Sequence, residues 1–337
     1  MFNRRPFVAL SLFVAGMPLC VLKSNLAHAG DVSDIEVSAE VFAHWGYDLK
    51  PTPYEGYVDG DPRPNAFDVD RAFLGVGSRV DETFSVQLRT DVAREESGRL
   101  GLLLRHAYLQ VDLTEGMFLK FGSAENAMNK MSDEFWSHDW VARPFASEND
   151  VNNEADLGVY AFGKHADGLL SWGAAVVNGE GYDNIDDDHD KAVQARLTVD
   201  PMHGEMKLPI SVYVSQDVYT RRDVAGHTVL IASLGFDQEY ANVWGEYVID
   251  TAGKSKGSGM SFSLVGKIPD VLNVVGRYDI WDPDANSKKD EHITMRAGLT
   301  KDFLKVVSAG LMYEHTTHAA DPDQPDKGLF FRMSAGF

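Results

Sequence analysis

A chain of 337 residues with 51 acidic against 31 basic side chains carries a formal net charge of −20. That balance excludes nucleic acid as a partner, because phosphate backbones are gripped by an excess of Lys and Arg. Aromatic residues at 11% and hydrophobic residues at 44% exclude an acidic disordered polymer, and a single cysteine, Cys20, excludes a disulfide framework and a thiolate metal site.

In chain order the first segment reads as an export signal. Arg4 and Arg5 form a charged start, Phe7 to Leu22 is an apolar run, and Ala27-His28-Ala29 is a small-x-small cleavage site. Pro6 spoils a twin-arginine match, and Met17-Pro18-Leu19 lacks the small residue a lipoprotein signal needs before Cys20. Residues 1–29 are therefore expected to be removed, leaving 30–337 as one domain. Removal takes Arg4, Arg5 and Lys23 but no acid, so the net charge moves from −20 to −23.

Beyond Leu22 no apolar stretch approaches the ~20 residues of a membrane-spanning helix. The chain shows instead many segments of about ten residues with period-two alternation. In Glu82 to Ala93, Phe84, Val86, Leu88, Thr90 and Val92 share one face and Ser85, Gln87, Arg89 and Asp91 the other. The same reading predicts strands near 34–46, 67–80, 83–93, 102–113, 117–124, 155–164, 169–178 and 191–200. It continues with 207–217, 227–236, 240–250, 258–268, 271–281, 291–300, 304–315 and 328–337, which makes sixteen.

Short turns such as Asp81-Glu82 and Pro269-Asp270 alternate with long polar connections at 47–66, 125–154, 179–190, 282–290 and 316–327. That asymmetry predicts an all-β fold, a transmembrane antiparallel β-barrel. A soluble all-β protein also alternates, but its buried face would not carry Arg, Gln, Glu and Asp on strand after strand. Sixteen strands enclose a lumen wide enough for water, so the polar face can point inward. Aromatics form two belts on the apolar face: Trp45, Phe121, Tyr247 and Tyr278 toward the loops, Phe84, Phe236 and Phe337 toward the turns.

Four stretches, Phe67 to Asp91, Leu104 to Met128, Ala155 to Lys164 and Trp172 to Gly181, together with the terminal Phe331, Met333 and Phe337, carry a resemblance. The sequence resembles bacterial outer-membrane porins of the phosphate-selective O and P group. The resemblance implies a homotrimeric channel for small hydrophilic solutes in the outer membrane, among lipid and lipopolysaccharide, with phosphate-like anions as candidate solutes. It also implies a third loop folded into the lumen and an end segment read by the barrel-assembly machinery at Phe331, Met333 and Phe337. No cofactor is implied.

Assigning the polar face to the lumen gives a basic wall of Arg71, Arg79, Arg89, Lys120, Arg196, Arg277, Arg296 and Arg332. Inward acids are Glu36, Glu40, Asp91, Glu246 and Asp279, while Arg105 has the wrong parity for Ala107, Leu109 and Val111 and is placed at the mouth. The constriction loop has the opposite bias: Glu125, Asp133, Glu134, Asp139, Glu148, Asp150 and Glu154 against Lys130 and Arg143. Phe135, Trp136, Trp140 and Phe145 give it too many aromatics for a solvated excursion. An acidic loop facing a basic wall predicts a transverse field that passes small polar molecules, or else salt bridges that pin the loop. Because only Lys130 and Arg143 could supply cations to the loop, weak ion selectivity is expected rather than phosphate specificity.

Asp183 to Asp190 is rich in acids, but counting from Asp186 puts Lys191 and Leu197 where a calcium loop needs Gly and Glu, so that motif fails. The acidic loops, with Asp282, Asp284, Asp321 and Asp323, read as solvated, divalent-ion binding being the alternative. Ser137 beside His138 is not spaced as a hydrolase motif, and no GxxxxGK[ST], HExxH or CxxCH occurs. The competing functions are a surface receptor or structural barrel and, behind it, a barrel hydrolase.

Overall fold

The computed structural model describes residues 35–49, 65–94, 98–128, 135–186, 190–218, 226–287, 289–304 and 306–337. Its strands are β1 (Ile35–Asp48), β2 (Asn65–Arg79), β3 (Phe84–Arg94), β4 (Leu100–Thr114), β5 (Met117–Glu125) and β6 (Ala155–His165). Then come β7 (Leu170–Val177), β8 (Lys191–Val199), β9 (Ile210–Val218), β10 (His227–Gln238) and β11 (Ala241–Ala252). The last are β12 (Ser255–Ile268), β13 (Leu272–Asp282), β14 (His292–Leu304), β15 (Val307–His318) and β16 (Asp321–Gly336). Each pairs antiparallel with its sequence neighbours, and β16 returns to β1 to close the barrel.

Closure leaves no edge with unpaired N–H and C=O groups, which hydrocarbon would make prohibitive. The seam runs from Glu40 opposite Gly336 to Asp48 opposite Gly328. Phe337 completes it: its N–H donates to the Ala39 carbonyl at 2.9 Å, and the Ala39 N–H donates to its carbonyl at 3.1 Å. Its ring is exposed, as are those of Phe331 and the side chain of Met333, all on one face of β16. No described helix is long and apolar enough to cross a membrane.

Period two decides which side chains go where. On β3, Phe84, Val86 and Leu88 stand exposed on the outer face while Asp91, of opposite parity, is fully buried. The interstrand register carries one face unbroken round the barrel: Arg89 faces His106, Lys120 faces Tyr160, Arg196 faces Tyr213, Arg277 faces Arg296, and Arg332 faces His44.

Bulges bend this rule, and two of the register shifts bear on the buried face. Between β1 and β2 the register shifts so that Asp70 has no opposite residue, and between β3 and β4 the extra residue is Arg105. A bulge lets two successive side chains point the same way, so Arg105 and His106 are both buried. The expectation that Arg105 belongs to the mouth is corrected: the phase slips between Leu104 and Ala107, and the slip is the bulge.

Two further expectations are corrected. Residues 316–327 are not a long connection but a hairpin, with His318 opposite Asp321 and only 319–320 between the strands. The face opposite the exposed leucines is not uniformly polar either. Tyr213, Val229, Ile231, Trp244, Val248, Val265, Val275, Trp281 and Met312 are buried there. They are covered by the long connection between β5 and β6, which their size and shape receive.

Candidate functional site

The described residues between β5 and β6, 126–128 and 135–154, lie against the buried face of strands on many sides of the barrel. Lys130, Asp133 and Glu134 fall outside the described residues. The remainder is held by two kinds of contact.

The first is apolar. Phe135 stacks on Trp244 with ring centres 5.2 Å apart, and Phe145 meets Trp281 edge-on at 6.0 Å. Trp136 donates its indole N–H to the Ala142 carbonyl at 2.6 Å and lies under the Arg277 guanidinium, 5.3 Å away. Phe135, Trp136, Trp140, Val141 and Phe145 are all buried. Gly259 on β12 makes room for this: a Cβ there would lie 2.8 Å from the Phe145 ring. Phe145–Glu148 forms one helical turn, which brings Glu148 to the wall.

The second kind is ionic. Glu148 takes Arg277 at 2.9 Å and Arg296 through its other oxygen. Those arginines share Asp279, at 2.9 Å each, and Arg296 also reaches Glu314 at 2.7 Å. Arg277 donates further to the Arg143 carbonyl at 2.5 Å. At the loop's other end Glu154 takes Arg71 at 2.7 Å and Arg105 at 3.0 Å. Arg71 also pairs with the buried Asp91, which accepts the Tyr182 hydroxyl at 2.7 Å.

These pairs set the acidity of the loop. Burial alone raises the Glu148 carboxyl, but Arg296 and Arg277 outweigh it and hold the group below the usual carboxylate range. Burial likewise opposes ionisation of Glu154, and Arg105 and Arg71 overcome it, pulling the group down to about 2. At His138 burial outweighs the opposing pull of Asp302 and pushes the imidazole down to about 4, keeping it neutral.

All eight basic residues assigned to the polar face stand on that one face, and at least seven meet acids. Beyond Arg71, Arg277 and Arg296, Arg89 meets Glu40 at 3.1 Å, Arg79 meets Asp112 at 2.9 Å near the turns, and Arg332 lies 3.8 Å from Glu314. Lys120 is buried, 2.6 Å from Glu125 and 4.1 Å from the centre of the Tyr108 ring. Arg196 donates to Thr198 at 3.0 Å. On the loop, Arg143 comes within 4.0 Å of the exposed Asp150, and Asp139 is half-buried.

Sequence reasoning missed Arg105 and Tyr182 in the Glu154 cluster. The phase slip before Ala107 was the signal for Arg105; Tyr182 sits in an irregular connection where nothing periodic marks it. Ser137 and His138 do touch, Oγ to Nδ1 at 3.2 Å, but the other imidazole nitrogen meets Thr300 at 3.3 Å, not a carboxylate.

Two cavities flank the loop. One of about 1060 Å³ opens among the loop-side strand ends, lined by His44, Asp48, Asp279, Trp281, His292, Arg296, Glu314, His318 and Phe330 among others. The other, about 290 Å³, lies at the turn side with Phe118, Phe135, Phe162, Lys164, Arg196, Asp200 and Lys207 in its lining.

A closed sixteen-strand antiparallel barrel with an exposed apolar outer face is a fold shared with outer-membrane porins of known structure. No family profile matches the chain, and no curated sequence does. Solved structures do. OmpF of Salmonella typhi, in complex with daunomycin, aligns over 90% of this chain and 97% of its own with a TM-score of 0.65 at 11% identity. The anion-selective porin of Comamonas acidovorans aligns over 90% and 99%, TM-score 0.60, at 10% identity. The outer-membrane channel DcaP of Acinetobacter baumannii aligns over 90% and 97%, TM-score 0.59, at 13% identity. At these identities the likeness is one of fold.

Proposed function

We propose that the chain is a porin of the bacterial outer membrane, a water-filled channel for passive diffusion of small hydrophilic solutes and ions, assembled as a homotrimer. The observation that carries this reading is the reach of residues 126–154. They contact β2 and β4 through Glu154, β13 and β14 through Glu148, and β11 through Phe135. Contact with so many strands of a closed barrel from one face supports a loop that lies within the barrel and narrows it, the constriction of this proposal. A solved relative in fold is described as anion-selective and another as a channel, which fits a conducting role.

Selectivity is weak in this proposal. An arginine ladder guides anions only while its charges are unspent, and here Arg71, Arg277 and Arg296 are each clamped between carboxylates. Phosphate-like anions are therefore among the solutes without being preferred. The chain is not an enzyme in this reading, since the Ser137–His138 pair ends on Thr300.

The test is conductance across planar bilayers with reversal potentials in a salt gradient. Stable single-channel steps with a small reversal potential are expected. Folded protein that inserts without conducting would favour the receptor or structural barrel, a reading that draws on the packed loop lying between the two cavities. Strong anion selectivity with block by dilute phosphate would overturn weak selectivity while leaving the channel intact.

A further inference from the structure

One pair of side chains lies outside the constriction network. His292 begins β14 and His318 ends β15, and the two are direct partners across the ladder. Their ring centres are 6.1 Å apart, and both rings line the loop-side cavity of about 1060 Å³. We propose that His292 and His318 form a two-imidazole site for a divalent transition-metal ion of the copper and zinc class in the wall of that cavity.

Three observations converge on it. The spacing fits: a metal about 2.0–2.1 Å from each imidazole nitrogen spans rings whose centres are roughly 5–6 Å apart, so a small side-chain adjustment closes the site. Opposed positions on antiparallel strands hold the two side chains as neighbours, with the ladder fixing their separation.

The second observation is how the His318 ring is held. Its Nε2 lies 2.9 Å from an Asp326 carboxylate oxygen. A carboxylate can only accept, so the imidazole spends its Nε2–H there, which leaves Nδ1 with a free lone pair. Metal-ligating histidines are oriented by outer partners of this kind.

Third, the surroundings favour a cation. Seven acids, Asp48 and Asp326 among them, line the same cavity against Arg94, Arg296 and Lys327, on a chain of net charge −20, which raises the local concentration of cations. Among the described residues no group of three or more His, Cys, Asp or Glu side chains could hold a metal. The site therefore has two protein ligands, with water completing the coordination. Imidazole selects copper, zinc and nickel over magnesium and calcium, which prefer oxygen.

The experiment is a titration of the folded full-length barrel in detergent with Cu²⁺ and separately with Zn²⁺, followed by calorimetry and, for Cu²⁺, by electron paramagnetic resonance. It reads binding directly and does not depend on conduction. One saturable ion per chain is expected, with nitrogen hyperfine coupling from two imidazoles, Cu²⁺ held more tightly than Zn²⁺, and no displacement by millimolar Mg²⁺ or Ca²⁺. His292→Ala and His318→Ala should each weaken binding at least tenfold, and His292→Asn should do the same with less change of volume. Asp326→Asn should weaken it by about tenfold. His44→Ala should leave binding unchanged, because His44 faces Arg332 and Asp68 across its two ladders and neither site histidine. Full binding in the folded His292 and His318 variants, or displacement of Cu²⁺ by Ca²⁺, would overturn the assignment.

Discussion

The loop 126–154 rests on two unlike surfaces of one wall. At β2, β4, β13 and β14 it meets arginines, and at β10 to β12 it meets valine, isoleucine, tryptophan and glycine. The charged surface is directional: each guanidinium has a fixed fork of donors that only a correctly placed carboxylate satisfies. The apolar surface is tolerant, since volume and hydrophobicity matter more than orientation. The difference assigns the two surfaces different work. Arginine pairs set where the ends of the loop lie, and the aromatic packing between them supplies the bulk of its burial.

The largest expected effect comes from the charged surface. Glu148→Gln leaves Arg277, Arg296 and Arg332 sharing only Asp279 and Glu314, three cations against two carboxylates, with one charge uncompensated almost out of water. Breaking a buried pair by removing one partner costs about 3–5 kcal/mol. Limited proteolysis should then cut the loop in folded protein, and single-channel records should become noisier. Adding Arg296→Met should restore much of the protection, because it removes the orphaned charge. Protection unchanged in Glu148→Gln would mean the aromatic surface holds the loop alone.

Next in size is Phe145→Ala, on the apolar surface. The ring is 2% exposed and fills the space over Gly259 and beside Trp281. Its loss should cost about 3 kcal/mol, the lower end for a buried aromatic because a loop can collapse into the gap more easily than a core can. Phe145→Leu should recover part of it, and neither variant should alter how loop protection varies with pH. Thermal melting and proteolysis measured at two pH values check both statements.

The charged half of this comparison was legible in the sequence and the apolar half was not. Arg277 and Arg296 recur at a period of two against outward Tyr278 and Met295, so their face follows from parity. β10 offers no such contrast: Val229 and Ile231 are buried while Leu230 and Leu234 are exposed, and all four are aliphatic. Alternation names a face only when the two environments demand different chemistry, and lipid and a docked aromatic loop demand the same. The strand count was legible because turns and polar runs punctuate it. The 316–327 hairpin was misread because its Asp and Pro residues look like a loop even where the ladder continues through them. Arg105 was misplaced because strict parity has no term for a bulge.

The smallest effect separates the surfaces by pH alone. Glu154 sits at about 2 in the folded protein against about 4.3 for a free glutamate. Its carboxylate is depressed, so its contribution is fully present above the unfolded value and erodes as pH falls through the interval toward 2. Over that interval the released chain takes up a proton that the anchored one refuses. The protection factor for hydrogen exchange at the β6 end of the loop, taken against the intrinsic rate at each pH, should therefore be constant from pH 7 to about 5 and fall progressively below. Glu154→Gln should already exchange fast at pH 7 and lose that acid dependence. The segment around Phe135, stacked on Trp244, carries no carboxylate in its stacking contact and should show a much flatter profile. Parallel acid responses at the two segments would mean that the loop releases as one cooperative unit, and the division of labour between its two surfaces would fail.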